Sequence, residues 1–402
     1  MMKTHIFFSR VLYGLSRKAF RQKMASKDQD TWAVTVHQVF SQLKRDLIGK
    51  DSHRGVTLTY TWLANQFGHF SLGFIPTLVA VYCLKGSIGI LPPELRAALY
   101  ISCFWILFEL INFLGPLLVA GMGGNFLSFR PKYTFSPAWR NIAFDTLTDV
   151  LFFCFGAFSA AVFQQCYYIA LETSVILAIV LLPISYYWYV TKMYLQFAEY
   201  PTQIRLGQWN NQIAKQDKAA VTAFMDRKVA GQHLLVFGTK SSGKTPLGIA
   251  IATEQSIKHR SCLYISAVKL LSMFHDPEQV CDGLWSWRNV STLVIDDINP
   301  GAPIHDDLIR PQAFARLLAD NPYGAINKKA IRKKNVIWVL GTDKADESFR
   351  RQWVDMLRSL DIDAENIHCI NLSRKVKSRR KVISFKGGYD SHTQSLPNAA
   401  GF

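Results

Sequence analysis

The stretch with the clearest chemistry is GTKSSGKT, from Gly238 to Thr245, which matches the pattern GxxxxGK[ST]. Its glycines allow a tight loop whose backbone N–H groups point at phosphate oxygens. Lys244 is expected to reach the β- and γ-phosphates of a nucleotide, and the Thr245 hydroxyl to bind Mg²⁺. The other positions of the predicted cradle are Thr239, Lys240, Ser241, Ser242 and Gly243. The pattern therefore predicts a site for ATP and Mg²⁺.

Two adjacent acids, Asp296 and Asp297, end the apolar run TLVIDD. A carboxylate at the tip of a strand beside the cradle is placed to support Mg²⁺, a role that we assign to Asp296. Asp297 is expected to orient or deprotonate an attacking water. Thr342 ends the run NVIWVLGT and is expected to sense the γ-phosphate through a water. The alternative for the two acids is that they only cap a strand.

Two arginines in the segment ESFRRQW, Arg350 and Arg351, follow on a predicted helix. Either guanidinium is a candidate finger that reaches the site of a neighbouring subunit and stabilises transition-state charge. The alternative is a salt bridge on the surface of the helix.

Short apolar runs alternate with helix-sized segments throughout the second half of the chain. This alternation is typical of a parallel β-sheet with crossover helices. The runs, each rich in Val, Ile and Leu, are HLLVFG, CLYISA, TLVIDD, NVIWVLGT and IHCINL. The cradle follows the first of them and precedes a predicted helix, which is the arrangement that phosphate binding requires.

The first half of the chain contains four stretches long enough to cross a bilayer. The predicted spans are residues 67–84, 98–122, 146–163 and 169–190. We therefore expect a basic N-terminal region (1–66), a four-span α-helical transmembrane bundle (67–190), a helical connector (191–230), an α/β P-loop ATPase domain (231–375) and a basic, disordered tail (376–402). Glu109, Asn112, Asp149 and Glu172 lie within the spans, either as an ion or proton path or as hydrogen-bonding contacts between helices.

The net charge of +17 is concentrated outside the spans. Basic residues are abundant before the first span and between the second and third, and scarce in the other two loops. By the positive-inside rule both termini face the cytoplasm, and we expect a multi-pass protein of the bacterial inner membrane. The first 27 residues contain no acid, which fits a helix on anionic lipid, a solvated basic arm or an organellar transit peptide.

The segment from GQHLLVFGTKSSGKTPLGIAIATE through LYISAVKLLSMF and STLVIDDIN to NVIWVLGT resembles the AAA+ family. Within that family it is similar to the helicase-loader and transposition-helper ATPases of DnaC/IstB type. The resemblance covers roughly residues 220–375. It implies a five-stranded sheet of order 5-1-4-3-2, the site roles given above, and a homo-oligomer with ATP at the subunit junctions. Those relatives are soluble, whereas this chain carries four predicted spans.

Two basic clusters, 327–335 and 373–388, allow three interpretations. They contact nucleic-acid phosphates, or the anionic inner leaflet of the lipid bilayer, or only solvent. From all of these features we expect a membrane-anchored AAA+-type ATPase that hydrolyses ATP to remodel or load a partner protein or nucleoprotein complex. The alternative is a nucleotide-gated membrane effector or scaffold with little turnover, for example in defence against phage or foreign DNA.

Overall fold

The computed structural model describes residues 33–48, 56–121, 133–226, 230–275, 284–298, 309–341 and 347–372. Within these ranges a helical N-terminal half is followed by an α/β half. The helices of the first half are α1 (Val36–Ile48), α2 (Leu58–Leu84), α3 (Pro93–Gly121), α4 (Trp139–Gln164) and α5 (Tyr168–Gln196). The helices of the second half are α6 (Lys215–Asp226), α7 (Lys244–Ile257), α8 (Ala267–Ser272), α9 (Pro311–Ala319), α10 (Gly324–Lys333) and α11 (Glu347–Ser359).

Four helices of the described chain, α2 to α5, are long and apolar enough to cross a membrane. Each predicted span coincides with one of them, except that Met122 lies outside the described residues. The helices extend beyond the apolar stretches because polar turns continue the same hydrogen-bonded geometry. At the start of α2, for example, the Thr57 hydroxyl caps the first turn by accepting a hydrogen bond from the Tyr60 amide at 3.2 Å.

Helices α2 and α4 cross with their backbones in contact at two glycines. A Cβ added at Gly73 of α2 would lie 2.0 Å from the Phe153 carbonyl oxygen, and one added at Gly156 of α4 would lie 2.0 Å from that of Phe70. Small residues at such a crossing let membrane helices pack closely. The crossing therefore depends on the absence of a side chain at both positions.

Polar side chains join the same two helices. Asp149 of α4 lies 3.0 Å from the His69 ring nitrogen of α2 and accepts a hydrogen bond from the Gln66 amide at 3.3 Å. The Trp105 indole of α3 donates to the Leu72 carbonyl at 2.9 Å. Such bonds hold helices together where hydrophobic association is weak.

Helix α1 is joined to the ends of α2 and α5 through one buried carboxylate. Asp46 accepts hydrogen bonds from Gln42 at 2.9 Å, Thr57 at 3.0 Å and the Tyr189 hydroxyl at 2.7 Å. A buried carboxylate requires such partners, because removal from water is costly unless its lone pairs are satisfied. The network therefore ties the first helix to the membrane half.

The α/β half contains one five-stranded sheet, which is parallel throughout. Its strands are β1 (His233–Gly238), β2 (Cys262–Ser266), β3 (Thr292–Ile298), β4 (Asn335–Gly341) and β5 (Ile367–Asn371). Their order is β2-β3-β4-β1-β5. This is the predicted order 5-1-4-3-2 listed from the opposite edge of the sheet, so the prediction is confirmed. Both faces are covered: Leu234 and Val236 pack with Leu247 of α7, whereas Leu235 and Phe237 lie in the cluster on the opposite face.

Helix α7 packs directly against the last turns of α5. His259, just after α7, stacks on Tyr194 with ring centroids 5.2 Å apart and an angle of 4°, and its centroid is 5.0 Å from that of Tyr187. Its Nε2 atom lies 2.8 Å from the Thr191 hydroxyl. The helix that follows the cradle is thus attached to a predicted membrane span.

Residues 197–214, called the linker below, connect α5 to α6 and run along α7. Arg205 donates two hydrogen bonds to Glu254 of α7, at 2.7 and 3.1 Å. The hydroxyls of Tyr200 and Ser256 are 2.9 Å apart. The linker contains one short 3₁₀ turn, Leu206–Gln208, and is otherwise irregular. Its position is determined by these side-chain contacts rather than by backbone regularity.

Lys334 is buried at the start of β4. Its ammonium group donates to the Trp287 carbonyl and lies 5.4 Å from the centroid of the Trp287 ring. Burial lowers the pKa of Lys334 to about 7, and the nearby charge of Arg288 contributes to the decrease. A lysine in an unfolded chain has a pKa near 10.4, so the unfolded state binds more protons between about pH 7 and pH 10.

We expect Gly156→Leu to disrupt the α2–α4 crossing, because the new side chain would overlap the Phe70 carbonyl. Overpacking of this kind costs about 1–3 kcal/mol. Thermal stability of the full chain in detergent, followed by size-exclusion chromatography, measures the effect. Gly68→Leu on α2 is the control, since an added Cβ meets no atom within 4 Å. Equal stability of the two variants would contradict the proposed crossing.

We expect Lys334→Met to weaken the pH dependence of folding stability. In the wild type this lysine should raise the free energy of unfolding as pH increases from 7 to 10, by up to about 1.4 kcal/mol per pH unit, because the unfolded state retains the extra proton. Methionine cannot titrate, so this increment should disappear from thermal melts. Lys333→Met, at an exposed neighbouring position, is the control. A slope with pH unchanged from wild type in Lys334→Met would show the assignment to be wrong.

Candidate functional site

The predicted cradle lies between β1 and α7. Strand β1 ends at Gly238, and α7 begins at Lys244 with Gly243 at its N-cap position. Two residues adopt the left-handed conformation, Ser241 with φ +61° and Gly243 with φ +86°. A Cβ at Gly238 would lie 2.4 Å from the Ser242 hydroxyl. The glycines therefore permit a tight turn from strand to helix, as a P-loop-type cradle requires.

Lys244 folds over the cradle. Its ammonium group donates to the Thr239 carbonyl at 2.7 Å. The charge is therefore held above the loop that contains Lys240, Ser241 and Ser242, at the N-terminal end of α7. A helix N-terminus and a lysine together favour an anionic group at this position.

The predicted metal ligands lie next to each other. The Thr245 hydroxyl donates to Oδ1 of Asp296 at 3.1 Å, and the Asp297 amide donates to the same oxygen at 2.8 Å. Asp296 is 2% exposed and lies two residues before the end of β3. A hydroxyl and a carboxylate with adjacent oxygens form the hard donor set that Mg²⁺ prefers. The donor set therefore fits the metal that the sequence predicts.

Tyr264 of β2, which the sequence prediction missed, holds the second oxygen of the carboxylate. Its hydroxyl donates to Oδ2 of Asp296 at 2.7 Å, and its amide donates to the Ala198 carbonyl of the linker at 2.8 Å. Burial raises the pKa of Tyr264, and the hydrogen bond and charge of Asp296 raise it further. Tyr264 therefore remains a donor at neutral pH. The sequence feature that could have identified Tyr264 is a tyrosine near the end of a strand that neighbours β3.

Asp297 is presented by an irregularity in the sheet. Ile295 pairs with Trp338 and Ile298 with Leu340, so two residues of β3 face one residue of β4. Asp297 has φ +57° and an exposed side chain. Partial desolvation of the carboxyl group raises the pKa of Asp297, and the charge of Asp296 raises it further. Bulges and positive φ angles of this kind often redirect a side chain at a functional site.

Of the three remaining predicted site residues, two lie on α11 within the described chain. Thr342 lies outside the described residues, although Gly341 before it pairs with Gly238. Arg350 lies 3.5 Å from Glu347 and Arg351 lies 4.0 Å from it, all on α11. These distances describe two exposed ion pairs within one helix, and a role in a neighbouring subunit remains a prediction.

Two side chains of the linker reach the outer surface of the cradle. Trp209 donates its indole N–H to the Gly243 carbonyl at 3.0 Å, and Asn211 donates its amide to the Ser242 carbonyl at 3.0 Å. The sequence prediction missed both, because the linker carries no recognisable motif. They add a layer of positioning contacts around the predicted cradle.

No family model and no curated protein matches this sequence. Among solved structures, a crystal structure titled as that of DnaI matches with 17% identity and a TM-score of 0.27, over 45% of this chain and 90% of that chain. In the part of the chain that the structure describes, four membrane-length helices are joined to a P-loop-type α/β domain with a parallel five-stranded sheet.

Proposed function

We propose that this protein is a membrane-anchored AAA+-type ATPase that binds ATP with Mg²⁺ and hydrolyses it on the cytoplasmic face of a bacterial inner membrane. The observation that carries the proposal is the contact between Thr245 and Asp296 beside the Lys244 loop. This contact joins a phosphate-binding turn to a metal-binding pair at one edge of the sheet. The charge distribution of the loops supports the cytoplasmic orientation.

The roles of the side chains follow from their positions. Lys244 and the amides of the loop bind the β- and γ-phosphates, and Thr245 with Asp296 holds Mg²⁺. When bound, Mg²⁺ neutralises charge on the transferred phosphoryl group. Tyr264 keeps Asp296 in one orientation through its 2.7 Å hydrogen bond. Asp297, exposed beside Asp296, orients the attacking water and accepts its proton.

We further propose that hydrolysis remodels or loads a partner protein or nucleoprotein complex, with subunits assembled as a homo-oligomer. Arg350 or Arg351 is the candidate for a contribution across the subunit junction. The contacts of His259 with α5 support a mechanism in which a movement of α7 is transmitted to the membrane half. The same contacts would serve the alternative, a nucleotide-gated effector with little turnover, and the rate of hydrolysis distinguishes the two.

We expect Lys244→Ala to weaken ATP binding by about 100-fold, because it removes a charged hydrogen-bond donor to the phosphates. A fluorescent ATP analogue titrated into the full chain in detergent measures the loss. Lys258→Ala, at the opposite end of α7 and exposed, is the control and should bind normally. Unchanged affinity in Lys244→Ala would contradict the assignment of the cradle.

We expect Asp297→Asn to reduce ATP hydrolysis by about 10²- to 10⁴-fold while ATP binding is retained, since the amide cannot accept the proton of water. Phosphate release under saturating ATP measures the rate. Asp320→Asn, at the exposed end of α9, is the matched control. Hydrolysis at the wild-type rate in Asp297→Asn would remove its role as the base. A wild-type chain that binds ATP without measurable turnover would favour the nucleotide-gated alternative.

A further inference from the structure

Two side chains of the linker donate hydrogen bonds to backbone carbonyl groups of the cradle. The acceptors are the carbonyl oxygens of Ser242 and Gly243, each 3.0 Å from its donor on Asn211 or Trp209. These are the last two carbonyls before Lys244, the first residue of α7. Neither donor belongs to the GxxxxGK[ST] motif. The contacts therefore come from a segment that the motif does not specify.

The direction of these carbonyls determines the direction of the next amides. In a trans peptide the C=O and N–H groups of one unit point to opposite sides. Carbonyls of Ser242 and Gly243 that face the linker therefore require the N–H groups of Gly243 and Lys244 to point away from it. Inward-facing amides are what a P-loop offers to phosphate oxygens. The Gly243 carbonyl also accepts a hydrogen bond from the Leu247 amide of α7 at 3.0 Å. Helix α7 and Trp209 therefore hold that peptide together, and Asn211 holds the peptide before it, in the orientation that phosphate binding needs.

The linker is itself held by residues of the membrane half. The Thr134 hydroxyl donates to the Asn211 carbonyl at 2.9 Å, and Phe135 packs against Trp209 with ring centroids 5.9 Å apart. Both residues precede α4, a predicted membrane span. Trp209 and Phe135 are 2% and 5% exposed, so this contact is part of the packed interior. The segment before α4 therefore supports the side chains that touch the cradle.

We propose that Trp209 and Asn211 are positioning residues for the phosphate loop, which hold its amides toward the phosphates of a nucleoside triphosphate. The proposal rests on the nucleotide binding proposed above and adds a route from the membrane half to nucleotide affinity. The segment before α4 holds the linker in position, and the linker in turn holds the phosphate loop in position. A displacement of α4 would then change affinity without any change in residues 238–245.

Two adjacent asparagines provide a matched test. Asn211→Ala removes the donor to Ser242, and Asn210→Ala changes an exposed neighbour in the same segment. The full chain in detergent is titrated with a fluorescent ATP analogue and Mg²⁺. We expect Asn211→Ala to bind about five- to tenfold more weakly than wild type, as loss of one hydrogen bond predicts, and Asn210→Ala to bind normally.

Isosteric variants separate positioning from general stability. Asn211→Asp keeps the shape but has no donor, so it should bind at least as weakly as Asn211→Ala. Trp209→Phe keeps an aromatic ring beside Phe135 but lacks the indole N–H donor, so its affinity for the ATP analogue should fall by a similar factor. Melting temperatures without nucleotide should stay within a few degrees of wild type. A purely structural role would instead lower the melting temperature of Asn211→Asp and leave affinity unchanged, which would overturn the proposal.

The two proposals fail in different ways. If the wild type and Asn210→Ala bind ATP and Asn211→Ala binds it equally well, the linker does not position the loop and only this inference is wrong. If the wild type binds no ATP, the proposed function is wrong and the inference falls with it.

Discussion

The packing of His259 against α5 joins the helix that follows the cradle directly to a predicted membrane span. The imidazole lies between Tyr187 and Tyr194 and within hydrogen-bond distance of Thr191. It follows the C-terminal end of α7, whose first residue is Lys244 of the cradle. One helix therefore has a phosphate-binding turn at one end and a membrane-helix contact at the other. This arrangement is the physical basis of the coupling proposed above between the cradle and the membrane half.

A second path reaches the same site through β2. Tyr264 bonds to the linker through its amide and to Asp296 through its hydroxyl, so the predicted metal-binding carboxylate is connected to the end of α5. The bulge in β3 then separates the tasks of two neighbouring acids. Asp296 is buried and accepts hydrogen bonds at both of its oxygens, whereas Asp297 is exposed in a left-handed conformation. Such strain persists only where the surroundings enforce it.

The helices of the membrane half are held together by close packing and by polar contacts. Glycines 73 and 156 bring α2 and α4 into backbone contact, and Asp149 with His69 joins the same helices through polar groups. Asp46 collects donors from α1, the start of α2 and α5. Buried polar groups of this kind are costly unless every partner is in place, so they favour one arrangement of the helices. Both the proposed ATPase and the nucleotide-gated alternative require a bundle with one defined arrangement of its helices.

Local patterns in the sequence determined the cradle from Gly238 to Thr245, the four spans and the alternation of strands and helices, because each depends on residues close together in the chain. The strand order followed from the resemblance, and the sheet confirms it. Only the tertiary structure placed Tyr264, Trp209 and Asn211 at the site, since each comes from another segment and carries no motif. The bulge at Asp297 likewise depends on the register between β3 and β4, which no local pattern specifies. Contacts between distant segments arise from packing, and packing is decided only when the whole chain has folded.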